Sequence, residues 1–115
     1  MENPFRLLVG QQLNAVSFVM DYVEFHFNGP VLRSLTAPIV EIGSQQFRFP
    51  DVGSRDAFCS CIGATVSRAD LISGKAIKIG FDAGAGILIP LDQAHCASGE
   101  SAHFIPEGEG RVMVW

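Results

Sequence analysis

The sequence has little charge. Lys, Arg, Asp and Glu make up only 17% of its 115 residues, whereas globular domains usually carry about 25%. Such a chain offers less polar surface than a lone monomer normally shows, so either its core is unusually large or part of its surface is covered by another chain. The basic residues form no cluster, and the net charge is −4. We therefore expect no nucleic-acid partner, because binding to phosphates needs grouped Lys and Arg.

Long apolar runs and export signals are also missing. The longest uncharged stretch, residues 7–20, includes Gln11, Gln12 and Asn14 and falls short of the roughly 20 apolar residues that span a bilayer. The N-terminus has no basic leader of the kind that begins a signal peptide. The three cysteines are an odd number without disulfide spacing, which is typical of reduced thiols. These absences predict a cytoplasmic protein without a membrane span.

The chain is rich instead in short runs where apolar and polar residues alternate, which is the pattern of half-buried strands. Residues 16–20 and 22–27 are two such runs, and Asn28-Gly29 then favours a hairpin. Pro30 lacks the N–H that would close a two-residue turn, so we expect a longer connection. The sequence as a whole predicts one mainly β domain over residues 1–115. We expect an antiparallel sheet, barrel-like or a sandwich, of about seven to nine short strands that hold at least about 40% of the residues.

In two later hairpins, the turn residues and the apolar pattern together predict the strand register. Gly43-Ser44 suits a type II′ turn, which would pair Val40 with Phe47 and place both on the apolar face.

The second of these hairpins turns at Ser73-Gly74-Lys75. A two-residue turn would oppose Asp70 with Ile77, whereas a three-residue turn opposes Asp70 with Lys78 and Leu71 with Ile77. We predict the three-residue turn, because slipping the pair by one residue would place charged groups on the buried face of the strand.

One short α-helix is predicted over about residues 54–62, with Ser54 as its N-cap and Gly63 as the left-handed residue that follows it. Cys59 and Cys61 are two apart and would point to different sides of the helix. Because they lack a second pair of Cys or His at zinc-finger spacing, we expect them to be structural. The apolar stripe of this helix is predicted to comprise Ala57, Phe58, Cys61 and Ile62. Beyond it, residues 104–105 could pair with 111–115 and so tie the C-terminus into the sheet.

The densest set of potential ligands lies between Asp92 and His103. The candidate ligand-binding residues there are His95, Cys96, Glu100 and His103. Carboxylate and imidazole three residues apart can share a metal on long facing helices, but Ser98-Gly99 interrupts any helix here. We therefore predict no metal and no cofactor, and treat these residues as a candidate small-molecule site on a loop.

Catalytic signatures are not found. Ser101, His103 and Asp92 supply the residue types of a hydrolytic triad, but so would many sequences. The chain has no nucleophile elbow, phosphate-binding loop or dinucleotide fingerprint, and Gly84-x-Gly86 fits a plain turn. We assign no catalytic residue.

Tyr22, Glu24 and His26 alternate with buried positions and share the outer face of their strand. Such a face is usually solvated; otherwise it lies in an interface or lines a pocket. These three are our candidate interface residues, and the ring of Tyr22 suits an interface anchor. The leading hypothesis is a non-enzymatic domain that acts through protein contacts, most simply as a homodimer. The alternative is a small-molecule-binding β-barrel or a minor enzyme that uses residues 92–103.

Three segments also carry a family resemblance: residues 16–29, residues 49–57 and the final Val-Met-Val-Trp. With these the chain resembles small uncharacterised bacterial proteins grouped as domains of unknown function. The resemblance implies a bacterial, cytoplasmic setting and no particular activity, cofactor or catalytic residue.

Overall fold

The computed structural model describes residues 3–92, 100–106 and 112–115. Strands account for 48% of the described residues and helices for 11%, which confirms the mainly β prediction. Within these ranges, ten strands form two antiparallel sheets that do not close into a barrel. The number of strands slightly exceeds the prediction, because short edge strands such as Met113–Val114 count separately.

The elements begin with a 3₁₀ helix, Pro4–Leu8. They continue with β1 Ala15–Val19, β2 Tyr22–His26, β3 Val31–Ser34, β4 Ile39–Ile42, β5 Gln45–Arg48, α1 Ser54–Cys59, β6 Val66–Ile72, β7 Ala76–Phe81, β8 Gly86–Pro90, β9 Ala102–Ile105 and β10 Met113–Val114.

The first sheet has the strand order β1-β2-β3-β9-β10. His26 pairs with Val31, so residues 27–30 connect β2 to β3, and the expected longer turn at Pro30 is confirmed. Phe104 pairs with Met113, and the Trp115 N–H donates to the Ala102 carbonyl oxygen at 2.9 Å. The C-terminus is therefore held in the sheet, as predicted.

The second sheet has the order β5-β4-β8-β7-β6. Val40 pairs with Phe47, and Gly43 has a φ of 62° while no described residue other than glycine has a positive φ. Positive φ at the first turn position alone is the pattern of a type II′ turn. The predicted register of this hairpin is confirmed.

The hairpin of β6 and β7 also has its predicted register. Asp70 lies opposite Lys78, Leu71 opposite Ile77 and Ala69 opposite Ile79. Ile77 and Ile79 are buried, as that register requires.

One hydrophobic core lies between the two sheets, which makes the fold a β-sandwich. It combines Phe25, Leu32 and Phe104 of the first sheet with Val40, Ile77 and Ile89 of the second. Helix α1 contacts β1, β4 and β5 at one side of the sandwich, and the 3₁₀ helix contacts β6 at the other. The two helices thus cover the sides that the open sheets leave between them.

The start and the end of α1 differ from the prediction. Gly53, with a φ of 90°, occupies the N-cap position without a side-chain hydrogen bond, and Ser54 is already inside the helix. Glycine adopts this left-handed conformation at little cost, so the helix begins at Ser54, one residue earlier than predicted. The helix ends at Cys59 because the chain then turns back, with the Gly63 N–H bonded to the Leu13 carbonyl oxygen at 2.8 Å. Ile62, predicted in the buried stripe, is 43% exposed as a result.

Candidate functional site

A row of side chains crosses the outer face of the first sheet from edge to edge. Cross-strand pairing aligns Ser17 with Glu24, Glu24 with Arg33, Arg33 with His103, and His103 with Val114. Direct cross-strand partners lie on the same side of a sheet, so these five residues form one line. We name this outer face, with that line and the neighbouring Tyr22 and His26, the network face.

Arg33 is at the centre of the network face. Its Nε donates to Glu24 Oε2 at 2.7 Å, and its Nη1 lies 3.0 Å from His103 Nδ1. The guanidinium also sits over the Tyr22 ring, 5.6 Å from the centroid. The Arg33 and Glu24 side chains are only 28% and 17% exposed, and partial burial strengthens such a pair relative to a fully solvated one.

Each histidine of the face contacts a carboxylate. His103 Nε2 lies 2.7 Å from Glu100 Oε1. His26 Nε2 lies 3.3 Å from Glu24 Oε1 and 3.2 Å from Ser17 Oγ. A continuous set of polar contacts therefore runs from Ser17 on β1 to His103 on β9 and on to Glu100.

These contacts do not have the geometry of a hydrolytic site. In a serine triad the hydroxyl and the acid contact different nitrogens of the imidazole, whereas Ser17 and Glu24 approach the same nitrogen of His26. Both nitrogens of His103 are already engaged, and the Ser101 hydroxyl donates to the Leu91 carbonyl oxygen at 3.3 Å. Neither histidine is thus placed to activate a serine.

Aliphatic side chains flank the polar row. Val19 and Val114 project from the edge strands and are 38% and 49% exposed, and Val112 next to β10 is 51% exposed. Val31 and Ile105 pair with each other on the same face and are half-buried. A polar line with apolar neighbours on both sides is a typical composition for a protein-contact surface.

The structure brings together two sets of residues that the sequence predicted separately. Tyr22, Glu24 and His26 of the candidate interface share the network face with His103 of the candidate ligand site, and Glu100 contacts His103 from beside it. His95 and Cys96 lie outside the described residues.

Arg33, which joins the two sets, was missed by the sequence analysis. A signal for it existed: with residues 27–30 as the loop, strand pairing places Arg33 directly opposite Glu24 as a cross-strand ion pair.

A shallow groove of about 370 Å³ lies on the outer face of the second sheet. Its floor contains Gly80 and Gly86, which pair with each other, and its walls include Lys78 and Leu88. The described residues of the predicted ligand site, Asp92, Glu100 and His103, do not line this groove.

Cys61 behaves as a core residue, as predicted. It is 2% exposed, and burial raises the pKa of its thiol, which keeps it protonated and unreactive. Cys59 is exposed. The described ranges contain no group of three or more His, Cys, Asp or Glu side chains placed to hold a metal ion. Within the same ranges, no helix is long and apolar enough to cross a membrane.

Comparison of the chain with protein-family models, with curated proteins and with solved structures gave no match.

Proposed function

We propose that this chain is a protein-contact domain that pairs with a second copy of itself through the network face. The observation that carries the proposal is the half-buried line from Ser17 to His103, centred on the Glu24–Arg33 ion pair and flanked by exposed valines. We also propose a bacterial cytoplasmic setting, supported by the resemblance and by the unpaired thiols of Cys59 and Cys61.

The surface of the molecule supports a covered face. Its accessible area is 6418 Å², close to the roughly 6,100 Å² expected for a monomer of this mass. The core is therefore of ordinary size, and the shortage of charged residues is a property of the surface. Of the two explanations for low charge, coverage by another chain is the one that this area favours.

The charges of the network face are complementary to themselves. A two-fold axis parallel to the strands, between β2 and β3, places Glu24 of one copy opposite Arg33 of the other and Ser17 opposite His103. The same axis places His26 opposite Val31 and Ala15 opposite Ile105, so the pairing also buries apolar surface. Such an arrangement is isologous, which is the commonest symmetry of homodimers.

The size of the face sets the expected strength of pairing. The proposed axis overlaps four of the five strands, β1, β2, β3 and β9, which together span about 19 Å, and strands of four or five residues are about 15 Å long. The overlap is roughly 300 Å² for each copy, well below a standard-size interface and in the range of weak, transient contacts. We therefore expect a dissociation constant of about 1–100 µM.

The test uses two charge reversals and their mixture. Glu24→Arg makes the central pair of the face positive and Arg33→Glu makes it negative, so each variant alone repels its own copies. When they are mixed, each Arg faces a Glu of the other variant. Sedimentation velocity at about 100 µM should therefore find a dimer for the wild type, monomers for each variant alone, and a heterodimer for the mixture.

The mixture distinguishes a loss of pairing between copies from a structural defect within each copy. The Glu24–Arg33 ion pair within each variant is also absent in the mixture, so restored association must come from contacts between the two variants. Asp70→Arg reverses a charge on the outer face of the second sheet and serves as the matched control, which should stay dimeric. A monomeric wild type, or a mixture that does not associate, would refute the proposed function.

A further inference from the structure

The contacts of His103 determine where its ring proton lies. A guanidinium only donates hydrogen bonds, so Nδ1, which lies 3.0 Å from Arg33 Nη1, must be the acceptor. The proton of the neutral ring is then on Nε2, which donates to Glu100 Oε1 at 2.7 Å. The neutral ring with its proton on Nε2 satisfies both neighbours at once.

A second proton on His103 would break this arrangement. It would add an N–H at Nδ1 that points at the N–H of Arg33, and it would bring two positive charges next to each other. Arg33 cannot easily withdraw, because Glu24 holds its Nε at 2.7 Å and its guanidinium lies over the Tyr22 ring. The His103 ring has to leave Arg33, while its contact with Glu100 is strengthened.

His26, the other histidine of the face, responds in the opposite sense. Its Nε2 faces Glu24 Oε1 and Ser17 Oγ, so a proton there strengthens an ion pair and opposes no cation. Among the described residues, the charged or titratable groups that face these two rings are Glu24, Arg33 and Glu100. Within the network, protonation therefore turns the contact between Arg33 and His103 from attractive to repulsive.

We propose that the network face is a proton-sensitive contact, in which protonation of His103 releases its ring from Arg33 and weakens binding of the second copy. This inference rests on the proposed function and adds its regulation. In the proposed pairing the His103 ring, held in place by Arg33, lies opposite Ser17 of the second copy, so a ring released from Arg33 loses that contact. Protons then favour the separated copies, and the dissociation constant rises as the pH falls.

The test compares the dimer at about pH 7.5 and pH 5.5. The His103→Gln variant carries an amide whose oxygen can accept from Arg33 and whose NH₂ can donate to Glu100, but which takes up no proton. We expect the dissociation constant of the wild type to rise by about tenfold or more at the lower pH, and that of His103→Gln to change by less than about twofold. His26→Gln, on the same face, is the matched control: it leaves the Arg33–His103 contact in place, so its dissociation constant should still rise at the lower pH.

A second measurement reads the ring directly. Long-range ¹H–¹⁵N spectra of the imidazoles should place the His103 proton on Nε2 at the higher pH and show a doubly protonated ring at the lower one. A proton on Nδ1, a ring that stays neutral at about pH 5.5, or a His103→Gln dimer as pH-sensitive as the wild type would each overturn this inference while leaving the dimer intact. A protein that is monomeric at both pH values would instead overturn the proposed function, and the regulation with it.

Discussion

Three buried hydroxyls differ in whether they have a hydrogen-bond partner, and this difference sets what each contributes to stability. Ser34 donates to the Thr36 carbonyl oxygen at 2.8 Å, and Thr36 donates to the Pro90 carbonyl oxygen at 2.7 Å. These bonds connect the end of β3 to the end of β8, and so join the two sheets. The Ser54 hydroxyl is equally buried but has no hydrogen-bond partner among the described residues.

We therefore expect opposite results from the same substitution at two serines. Ser34→Ala should lower the free energy of unfolding by about 1–3 kcal/mol, because the Thr36 carbonyl oxygen loses its donor in a buried place. Ser54→Ala should change the free energy of unfolding by less than about 1 kcal/mol, or raise it, because the hydroxyl that is removed is desolvated without gaining a hydrogen bond. Urea unfolding of both variants measures this, and a larger loss for Ser54→Ala would show that its hydroxyl has a partner.

The hairpin of β6 and β7 shows how an element resolves competing local signals. A three-residue loop usually has its glycine third, but here Gly74 is second, with a φ of 74°. The Lys75 N–H bonds to the Ile72 carbonyl oxygen at 2.9 Å, which makes residues 72–75 a β-turn with positive φ at its third residue. That is the type II pattern, which favours glycine at this place. The turn therefore accommodates the register that the buried isoleucines require.

Ile77 and Lys78 are neighbours in β7 with opposite surroundings, and they test what fixes this register. Ile77 is fully buried, so Ile77→Ala should cost about 2–5 kcal/mol of unfolding free energy. Lys78 is exposed on the outer face, and Lys78→Ala should stay within about 0.5 kcal/mol. Denaturant titration compares the two variants. A cost at Lys78 equal to that at Ile77 would mean that the cross-strand charge, rather than apolar burial, holds the hairpin.

At the scale of the whole molecule, the beginning and the end of the chain stabilise each other. The Phe5 ring of the 3₁₀ helix lies 4.8 Å from the Phe104 ring and 5.0 Å from the Trp115 ring, measured between centroids. Asn3 Nδ2 also donates to the Ala69 carbonyl oxygen on the edge strand β6, at 2.7 Å. The N-terminal segment thus packs on the last residue of the chain and also covers one edge of the second sheet.

Phe5→Ala should therefore cost about 3–5 kcal/mol and shift the fluorescence of Trp115, the single tryptophan of the chain. Leu7 lies in the same 3₁₀ helix but is 44% exposed, so Leu7→Ala should cost less than about 1 kcal/mol and leave the emission unchanged. Unfolding followed by both fluorescence and circular dichroism makes the comparison. An unchanged Trp115 emission in Phe5→Ala would contradict the packing described between the chain ends.

Local pattern was sufficient to determine much of this protein. Strands, their buried faces and the registers of the hairpins at residues 43–44 and 73–75 follow from alternation and turn chemistry, because both act between residues close in the chain. The outward position of Tyr22, Glu24 and His26 follows for the same reason.

Only the tertiary structure decided which distant segments meet. The pairing of β3 with β9 brings Arg33 to His103, 70 residues further along the chain, and so unites two candidate sites that the sequence kept apart. The N-cap of α1 was likewise set by the left-handed corner at Gly53 and not by the hydroxyl of Ser54. Strand order and corner geometry depend on how two sheets bury one shared core, and no short stretch of sequence contains that information.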